Sequence, residues 1–422
     1  MNYTQSLCYL NSFLNLERIL ANSENRRWNL NRMKILLNLF DHPERSFFPI
    51  LIAGTKGKGS TGFFLESILK ASGISMGFYA SPHLVSPRER IRIRGVEISK
   101  EKWVEGIQQV HHRLSRYEAP ASCGGFTYFE IMTLLAAMTF KQAGVRIGIF
   151  EVGMGGRLDA TNTMDARLAL LTPIHLDHEA FLGKTVLKIT REKAAIIRPG
   201  ADVIVSRQKK KTLGEIDKQI NRKGACRHRE ASVNGIPLGL RGDFQKTNAG
   251  AALKAARLLR EKYFYRITND AIRQGLQNGN WPGRFELLKG LPDVLIDGAH
   301  NPSSIDALVR NLKRLFPKRD CLLIFGCSRD KNSEKMLQTL SSFFPEIILT
   351  PTPNPRSQEV SALLSQSRKY FQTIYPVSSV REAFALAKKR SSGSTMVVAT
   401  GSFYLIGKMR QYWMKQGTLE NV

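Results

Sequence analysis

The sequence has 422 residues, of which 42% are hydrophobic and 23% charged, and its formal net charge is +28. This length suits two domains, and no stretch approaches the roughly 20 uninterrupted apolar residues of a membrane helix, which excludes a membrane-spanning protein. The charge attracts polyanions, but basic residues are spread along the whole chain without an aromatic–basic motif. We therefore expect small anionic substrates rather than nucleic acid or a membrane.

The amino-terminal segment Met1–Leu20 lacks a basic leader followed by an apolar run, and its leucines recur at helical spacing instead. The cysteines are odd in number and scattered, without a paired CxxC spacing; they stand at positions 8, 123, 226, 321 and 327. This usage favours reduced thiols over a disulfide framework or a zinc site. We therefore expect a cytoplasmic protein.

The first part of the chain alternates short apolar runs with amphipathic stretches, as in α/β proteins. The helix after the first strand carries apolar residues on one face and ends at Gly73. The polar stretch 209–234 predicts a surface excursion. The predicted strands of this part are Phe47–Ala53, Ile74–Tyr79, Val145–Val152, Leu168–Leu171 and Val203–Ser206.

A second series of alternating elements begins near Val294 and is typical of a smaller Rossmann-like domain. Proline and glycine interrupt both patterns at Trp281-Pro282-Gly283. We therefore predict a P-loop-type nucleotide-binding α/β domain over residues 1–283 and a smaller Rossmann-like domain over 284–422. The predicted strands of the second domain are Val294–Ile296, Cys321–Phe325, Ile347–Leu349, Thr373–Tyr375 and Met396–Ala399.

A glycine-rich loop, Gly54–Ser60, joins the first predicted strand to a helix. Such a turn places backbone N–H groups around a phosphate, with Lys58 positioned to reach the β and γ oxygens and Ser60 to bind Mg²⁺. The spacing misses the strict Walker pattern, and a tight glycine turn without a ligand is the alternative. The residues that we predict to bind ATP here are Gly54, Thr55, Gly57, Lys58, Gly59, Ser60 and Thr61.

Two further polar clusters follow predicted strands. Glu151 precedes a glycine-rich stretch that runs to Asn162, and a carboxylate at a strand end indicates either a magnesium ligand or a structural group bonded by turn amides. His175, Asp177 and His178 follow the next strand and are compatible with metal binding or with ordinary hydrogen bonding. Lys193, by spacing alone, is typical of a solvated helix lysine.

In the second predicted domain, the segment Asp297–Pro302 follows a strand and opens a helix. An acidic residue in this position either accepts ribose hydroxyls or caps the helix. The segments Gly326–Lys331 and Thr400–Ser402 also follow predicted strands. All three segments therefore lie at the same predicted edge of the sheet.

Taken together and in this order, the clusters resemble the bacterial dihydrofolate synthase/folylpolyglutamate synthase family of the Mur ligase superfamily. The resemblance covers nearly the whole chain. Its most specific parts are the glycine loop, Ser81-Pro82-His83-Leu84, Glu89-Arg90-Ile91, Thr127-Tyr128-Phe129-Glu130 and the stretch Glu151–Asn162. It implies an ATP-dependent ligase that joins L-glutamate to dihydropteroate, to folates or to both through an acyl phosphate. It also implies a monomer.

The resemblance assigns a role to each cluster. Lys58, Lys193 and His178 are implied to be catalytic. Ser60, Glu151 and His178 match magnesium ligands, and Lys193 matches a lysine that is carbamylated in the family and approaches a second Mg²⁺. The implied nucleotide contacts outside the loop are Asn248, Arg284, Asp297 and His300. The implied substrate contacts are Asn29, Leu30, Ser81, His83, Thr127, Tyr128, Phe129, Glu130, Leu158, Asp159 and Ala160.

Three residues depart from the family pattern: Lys56 stands where Asn is more common, Ala195 where Gly is usual and Phe244 where His is frequent. A folate-specific synthase without dihydropteroate activity is one alternative, and another amide ligase of the superfamily is a second. A peptidoglycan-precursor ligase is disfavoured because little chain precedes Gly54. A P-loop ATPase of another class fits the loop alone, and a nucleic-acid-binding protein fits only basic runs such as Arg207–Lys211.

Overall fold

The computed structural model describes residues 1–15, 29–118, 124–391 and 395–417. The chain forms two compact units. The first unit comprises Met1–His83, Pro87–Gly239 and Phe244–Gly279, and the second comprises Leu84–Ser86, Leu240–Asp243 and Asn280–Val422. The predicted division at residues 283 and 284 treats each domain as one continuous stretch, whereas 84–86 and 240–243 belong to the second unit.

Fifteen α-helices occur in the described residues. They are α1 (Tyr3–Ser12), α2 (Asn31–Leu39), α3 (Lys58–Ala71), α4 (Lys100–Leu114), α5 (Tyr128–Gln142), α6 (Glu179–Leu182), α7 (Val186–Ala194), α8 (Lys210–Arg222), α9 (Phe244–Glu261), α10 (Asn269–Gln277), α11 (Pro302–Leu315), α12 (Ser333–Ser341), α13 (Val360–Ser367), α14 (Val380–Arg390) and α15 (Phe403–Gly417).

Fourteen β-strands occur in the same residues. They are β1 (Phe48–Ala53), β2 (Met76–Tyr79), β3 (Ile91–Ile93), β4 (Val96–Glu97), β5 (Ile147–Glu151), β6 (Leu168–Leu171), β7 (Asp202–Val205), β8 (Cys226–Arg229), β9 (Glu286–Leu288), β10 (Asp293–Ile296), β11 (Cys321–Phe325), β12 (Glu346–Leu349), β13 (Thr373–Pro376) and β14 (Met396–Thr400).

The sheet of the first unit has the strand order β4-β3-β2-β5-β1-β6-β7-β8. Strands β2, β5, β1, β6, β7 and β8 are parallel, and the β3–β4 hairpin pairs antiparallel to β2. The central strands are short apolar runs because helices cover both faces of a parallel sheet. In the register of β1, Ile52 lies opposite Glu151, and Ala53 lies opposite Leu171. The segments that follow β1, β5 and β6 therefore emerge at one edge.

The sheet of the second unit has the order β13-β12-β11-β14-β10-β9. All of its pairs are parallel except β10 with β9. Ile296 lies opposite Ala399, so the segments beginning at Asp297 and Thr400 leave the sheet side by side. The two sheets confirm the predicted α/β class, and the parallel strands of the second unit confirm its Rossmann-like character.

The core of the first unit contains an aromatic cluster between β5 and α5. Phe150 is fully buried, and its ring lies 5.7 Å from that of Phe47 and 5.3 Å from that of Phe140. Helix α5 is apolar on nearly every side because it lies beneath the sheet and is enclosed by α2 and α4. This packing fixes the start of α5, at Thr127, close to the ends of the strands.

One expectation is wrong. The stretch 209–234, predicted to be a surface excursion, contains helix α8 and strand β8. Helix α8 packs Leu213, Ile216 and Ile220 on the core and is largely polar elsewhere, and β8 has the sequence Cys-Arg-His-Arg. An edge strand with one neighbour needs little apolar character, so the usual alternation is absent. Among the described residues, no helix has the length and apolar character required to cross a membrane.

Truncation of the central aromatic ring tests this description of the core. We expect Phe150→Ala to lower the free energy of unfolding by about 3–5 kcal/mol, because it leaves a cavity among rings that cannot collapse into it. The matched control is Phe264→Ala, since that ring is 85% exposed, and its effect should stay within about 0.5 kcal/mol. Urea unfolding followed by circular dichroism measures both. Equal effects of the two substitutions would show that Phe150 is not part of a tightly packed core.

Candidate active site

The glycine loop is built by two glycines with positive φ. Gly54 has φ 149° and directly follows β1, and Gly57, with φ 85°, is the residue that caps the start of α3. No side chain caps this helix, so the N–H groups of its first turn face away from the helix without an intrahelical acceptor. The positive end of the helix dipole adds to them. The loop therefore offers an anion-binding site of the predicted kind.

The segment after β6 holds this loop in place. The N–H groups of Thr55 and Lys56 donate to the Pro173 carbonyl at 3.0 and 3.2 Å. The Thr55 hydroxyl donates to the His175 carbonyl at 3.1 Å and accepts the His175 N–H at 3.0 Å. Burial lowers the pKa of His175, and Lys56 and Lys209 lower it further, so the ring is neutral at pH 7. The backbone of His175 thus supports the loop.

Asn248 contacts the loop from α9. A Cβ atom added to Gly57 would overlap the Asn248 side-chain amide, so the two residues pack closely only because position 57 is glycine. The Asn248 amide is 3% exposed and donates to the Gln245 side-chain oxygen at 2.8 Å. This is the first of the predicted nucleotide contacts outside the loop, and the structure places it beside the loop.

Glu151 ends β5 beside the same loop. Its side chain is buried, with one oxygen, Oε1, 3.8 Å from Lys58 Nζ and the other accepting the Ser81 N–H at 3.2 Å. The structure therefore brings together three predicted site residues that are far apart in sequence. A buried carboxylate is stable only beside a positive charge or hydrogen-bond donors, and Glu151 has both in the Lys58 ammonium and the Ser81 N–H.

The glycine-rich stretch after Glu151 is folded around Asp159. This buried carboxylate accepts the Met154 N–H at 2.9 Å, the Thr161 N–H at 3.0 Å and the Thr161 hydroxyl at 2.6 Å. Burial raises the pKa of Asp159, and these hydrogen bonds oppose the rise. Amides of the turn after Glu151 thus hold the carboxylate of Asp159. Its predicted contact with substrate stays a prediction, as do those of its half-buried neighbour Leu158 and buried neighbour Ala160.

Lys193 is only 4% exposed, so the interpretation as a solvated helix lysine is wrong. The backbone at Gly156 packs directly on that of Glu192 and Lys193, and a Cβ at this position would overlap it. The pKa of Lys193 is lowered to about 7, chiefly by burial and next by the charge of Lys58, while Asp177, Asp159 and Glu192 act in the opposite sense. The amine is therefore neutral for a large fraction of the time near pH 7.

His178 differs from these buried groups. Its backbone is left-handed, with φ 51°, and its side chain is 39% exposed at the start of α6. The ring nitrogen Nε2 lies 3.9 Å from a carboxylate oxygen of Asp177. The negative charge of Asp177 also raises the pKa of Lys193. The segment after β6 thus places Asp177, which the sequence analysis named with the two histidines as compatible with metal binding, beside His178 and within electrostatic reach of Lys193.

The residues predicted to form the substrate surface begin α5. Thr127 and Glu130 form a capping box, in which the Thr127 N–H donates to Glu130 at 2.8 Å and the Glu130 N–H to the Thr127 hydroxyl at 3.2 Å. Arg32 donates to both Glu130 oxygens, at 2.9 and 3.1 Å. The Asn29 side chain accepts the Arg32 N–H at 3.3 Å, next to half-buried Leu30. The starts of α2 and α5 are therefore joined.

A buried arginine lies close to the remaining predicted substrate residues. Arg90, 1% exposed, donates to His83 Nδ1 at 2.9 Å, and its guanidinium lies 5.4 Å from the centre of the Tyr128 ring. Phe129 packs 5.9 Å from Tyr79 and leaves room only for glycine at position 153. Sequence reasoning did not single out Arg90 as a site residue, because an isolated arginine gives no sign of burial.

In the second unit, Arg284 and His300 lie against the ring of Phe403, and Asp297 lies within electrostatic reach of Arg284. The Arg284 guanidinium lies 4.4 Å from the centre of the Phe403 ring, and the His300 ring lies 5.8 Å from it. Asp297 accepts the Phe285 and Ala299 N–H groups at 2.8 and 2.9 Å. Burial raises its pKa, and Arg284 opposes the rise. Phe403, which sequence reasoning missed, follows Thr400–Ser402, so its proximity to that motif was the available signal.

Comparison with known proteins places this geometry in a family. Residues 283–403 match the family described as Mur ligase, glutamate ligase domain. The chain is 30% identical over 407 residues to the dihydrofolate synthase/folylpolyglutamate synthase of Bacillus subtilis, covering 90% of this chain and 94% of that protein. It is 33% identical over 383 residues to the Escherichia coli protein of the same name, covering 86% of each. The chain belongs to the dihydrofolate synthase/folylpolyglutamate synthase family.

Comparison with solved structures supports the same family. The chain is similar to Mycobacterium tuberculosis folylpolyglutamate synthase complexed with ADP, with a TM-score of 0.87, 29% identity and coverage of 97% of this chain and 98% of that one. It is also similar to Escherichia coli FolC in complex with DHPP and ADP, with a TM-score of 0.84, 29% identity and coverage of 99% and 98%. The predicted family, Mur ligase fold and enzyme class are confirmed: the chain is an ATP-dependent ligase. The roles of single residues stay predictions.

The close contact at Gly57 gives a direct test of the loop. We expect Gly57→Ala to weaken binding of ADP by at least about tenfold, because the new Cβ overlaps Asn248 and the residue must keep a positive φ. Gly73→Ala is the matched control, since Gly73 also has a positive φ but has open space around it. Isothermal titration calorimetry measures both affinities. Unchanged affinity for ADP in Gly57→Ala would show that the loop is not part of the nucleotide site.

Proposed function

We propose that this chain joins L-glutamate to dihydropteroate and to reduced folates, consuming ATP and passing through an acyl phosphate. The observation that carries the proposal is the cluster formed by Lys58, Glu151 and the buried Lys193 beside the glycine loop. The names of the Bacillus subtilis and Escherichia coli relatives, which combine both activities, support dihydropteroate and folates as substrates.

The proposed reaction has two steps. In the first, a carboxylate oxygen of the pteroate or folate attacks the γ-phosphorus of ATP, and ADP leaves. In the second, the glutamate amine attacks the carbonyl carbon of the acyl phosphate, so that a C–N bond forms, the C–O bond breaks and inorganic phosphate leaves. Negative charge develops on the phosphoryl oxygens in the first step. The Lys58 ammonium and the N–H groups at the start of α3 would stabilise that charge.

The donor set near the loop fits Mg²⁺. This ion takes oxygen ligands, and the Ser60 hydroxyl and the Glu151 carboxylate are both buried at the edge where the phosphates are expected. With His178, these residues would hold Mg²⁺, which neutralises phosphoryl charge when bound. Lys58 Nζ, 3.8 Å from Glu151 Oε1, would help to hold the carboxylate in position for this role.

Lys193 is proposed to act as a carbamate. Its lowered pKa leaves a neutral amine near pH 7, and a neutral amine adds CO₂ with loss of one proton. The product carries a negative charge, which converts repulsion from Lys58 into attraction and supplies oxygen ligands for a second Mg²⁺. Burial would protect the carbamate from hydrolysis by solvent. This role replaces that of a positively charged lysine, which the burial of Lys193 disfavours.

The remaining residues are proposed to bind the substrates. The starts of α2 and α5, from Asn29 and Thr127, would present the pterin surface, held by the Arg32–Glu130 ion pair. Asn248, Arg284, Asp297 and His300 are proposed to contact the nucleotide, as the family resemblance implies. ADP and AMPPCP complexes of the Mycobacterium tuberculosis relative support a nucleotide site in this fold. We further propose a monomeric, cytoplasmic enzyme, consistent with unpaired cysteines in the described residues.

A folate-specific enzyme is the second candidate, because a relative that is 30% identical over 436 residues is named only as folylpolyglutamate synthase, from Lacticaseibacillus casei. Comparison of ADP release with dihydropteroate and with tetrahydrofolate, each with glutamate, separates the two. Release with both substrates supports the bifunctional enzyme. Release with tetrahydrofolate alone would establish the folate-specific one, and stimulation by nucleic acid only would contradict both.

Removal of Lys58 tests the proposed chemistry. We expect Lys58→Ala to lower glutamate-dependent ADP release by at least about a hundredfold, because the phosphoryl transfer loses the cation that would stabilise the developing negative charge. Lys70→Ala is the control, since Lys70 lies exposed near the other end of the same helix. A coupled spectrophotometric assay for ADP measures both variants. Retention of most activity by Lys58→Ala would contradict the assignment.

Carbamylation of Lys193 predicts a pH dependence. The pKa of Lys193, about 7, lies below its usual value, so the amine is mostly protonated at pH 6 and mostly neutral at pH 8. At constant dissolved CO₂, carbamate occupancy should therefore rise across this interval, and a carbamate resonance from carbon-13-labelled CO₂ should appear in the NMR spectrum. Lys193→Ala should lose the resonance, and Lys188→Ala, an exposed position on the same helix, should keep it. A resonance that persists in Lys193→Ala would contradict the assignment.

A further inference from the structure

Strands β7 and β8 bring three side chains that can bind a metal ion to one place in the first unit. Asp202 begins β7, Cys226 begins β8, and the two residues lie opposite one another in the parallel register. His228 follows Cys226 by two residues, so both side chains project from the same face of β8. One ligand atom from each of the three side chains lies within 4.8 Å of the other two.

The separation of these atoms is close to that around one zinc ion. Zn²⁺ binds nitrogen and carboxylate oxygen at about 2.0–2.2 Å in tetrahedral geometry, so two such ligands lie roughly 3.3 Å apart. His228 Nε2 and Asp202 Oδ1 are 2.9 Å apart. An opening of roughly half an ångström would therefore let both atoms bind the same ion. Strand β8 has a neighbour on one side only, and Cys226 is exposed, so a movement of this size is available.

The chemistry of the three donors selects zinc. Mg²⁺ takes oxygen ligands, whereas a thiolate and an imidazole beside one carboxylate suit Zn²⁺. Three protein ligands leave a fourth tetrahedral position for water. The scattered cysteines gave no sign of this site in the sequence, because Asp202 comes from a different strand and only pairing of β7 with β8 brings it to Cys226 and His228.

Lys262 supplies the positive charge beside Asp202 when no metal ion is bound. Its Nζ lies 2.8 Å from Asp202 Oδ2, and its side chain is 52% exposed, so the ammonium can move into water when a divalent ion replaces it. The Tyr263 hydroxyl donates to the same carboxylate oxygen at 2.6 Å. A hydrogen bond of this kind orients a carboxylate ligand and so favours metal binding.

We propose that Asp202, Cys226 and His228 form a zinc site that joins the edge strand β8 to β7. On binding, the Cys226 thiol loses its proton to solvent, the sulfur–zinc bond forms, and the Lys262 ammonium leaves Asp202. The site lies at the amino ends of the parallel strands, whereas the glycine loop and Glu151 lie at the carboxyl ends. It is therefore separate from the proposed ligase chemistry, and its expected effect is on the stability of the fold.

Cobalt(II) is the probe for this site in the full chain, because a thiolate ligand gives Co²⁺ a near-ultraviolet charge-transfer band that oxygen and nitrogen ligands do not give. The magnesium site proposed beside the glycine loop is built from oxygen and nitrogen donors, so Co²⁺ bound there is silent in this band. We expect the band in the wild type, its removal by Zn²⁺, and its loss in Cys226→Ser. Cys8→Ser, which changes another exposed thiol, is the matched control and should keep the band.

Two further variants leave the thiol in place. His228→Gln should weaken the affinity for Co²⁺ at least about tenfold, because a ligand is lost. Lys262→Gln should strengthen it roughly threefold, because the ion no longer has to displace an ammonium from a partly exposed ion pair. Zn²⁺ should also raise the thermal midpoint of the wild type and leave that of Cys226→Ser unchanged.

Absence of the charge-transfer band in the wild type would overturn the zinc site, as would a band that persists in Cys226→Ser. Unchanged Co²⁺ affinity in His228→Gln, or weaker affinity in Lys262→Gln, would overturn it as well. An equal rise of the thermal midpoint with Zn²⁺ in the wild type and in Cys226→Ser would place the stabilising ion elsewhere in the chain. None of these outcomes bears on the proposed ligase activity, which is measured separately by ADP release.

Discussion

Three parallel strands, hydrogen-bonded in one register, determine where the chemistry of the first unit takes place. With Ile52 opposite Glu151 and Ala53 opposite Leu171, the chain leaves β1, β5 and β6 at the same height. The glycine loop, the carboxylate and the segment that supports the loop through Pro173 therefore meet without any of them having to reach across the sheet. A shift of the register by one residue would turn Glu151 to the other face and separate it from Lys58.

The same edge concentrates charge in a place with little water. Lys58 and Lys193 repel one another, and Asp159 and Asp177 only partly offset the burial of Lys193. Like charges held together in a buried site lower the stability of the fold unless a ligand or a modification adds negative charge. Phosphate groups and a carbamate both add negative charge where positive charge is in excess. The electrostatics of the site are thus better suited to the liganded state than to the free one.

Much of the fold follows from the sequence, because buried parallel strands are continuous apolar runs and the loops after them carry glycine and polar residues. The Glu151 and Asp297 segments were found in this way. The burial of single side chains by tertiary packing could not be predicted from the sequence. Lys193 follows an ordinary helical pattern, and the close approach of the backbone at Gly156 is seen only in the structure. Arg90 likewise gives no local signal. The roles of Glu151 and Asp159 could not be separated from spacing either, since both stand beside turn amides.

Strand β8 has a consequence beyond its place in the topology. It forms one margin of the eight-stranded sheet, where unpaired N–H and carbonyl groups would otherwise invite another chain to add a strand. Its sequence, Cys226–Arg229, carries two arginines, and Arg227 is held by Asp217 at 2.7 Å. The polar composition that makes this strand hard to predict from sequence thus also disfavours aggregation through this edge of the sheet.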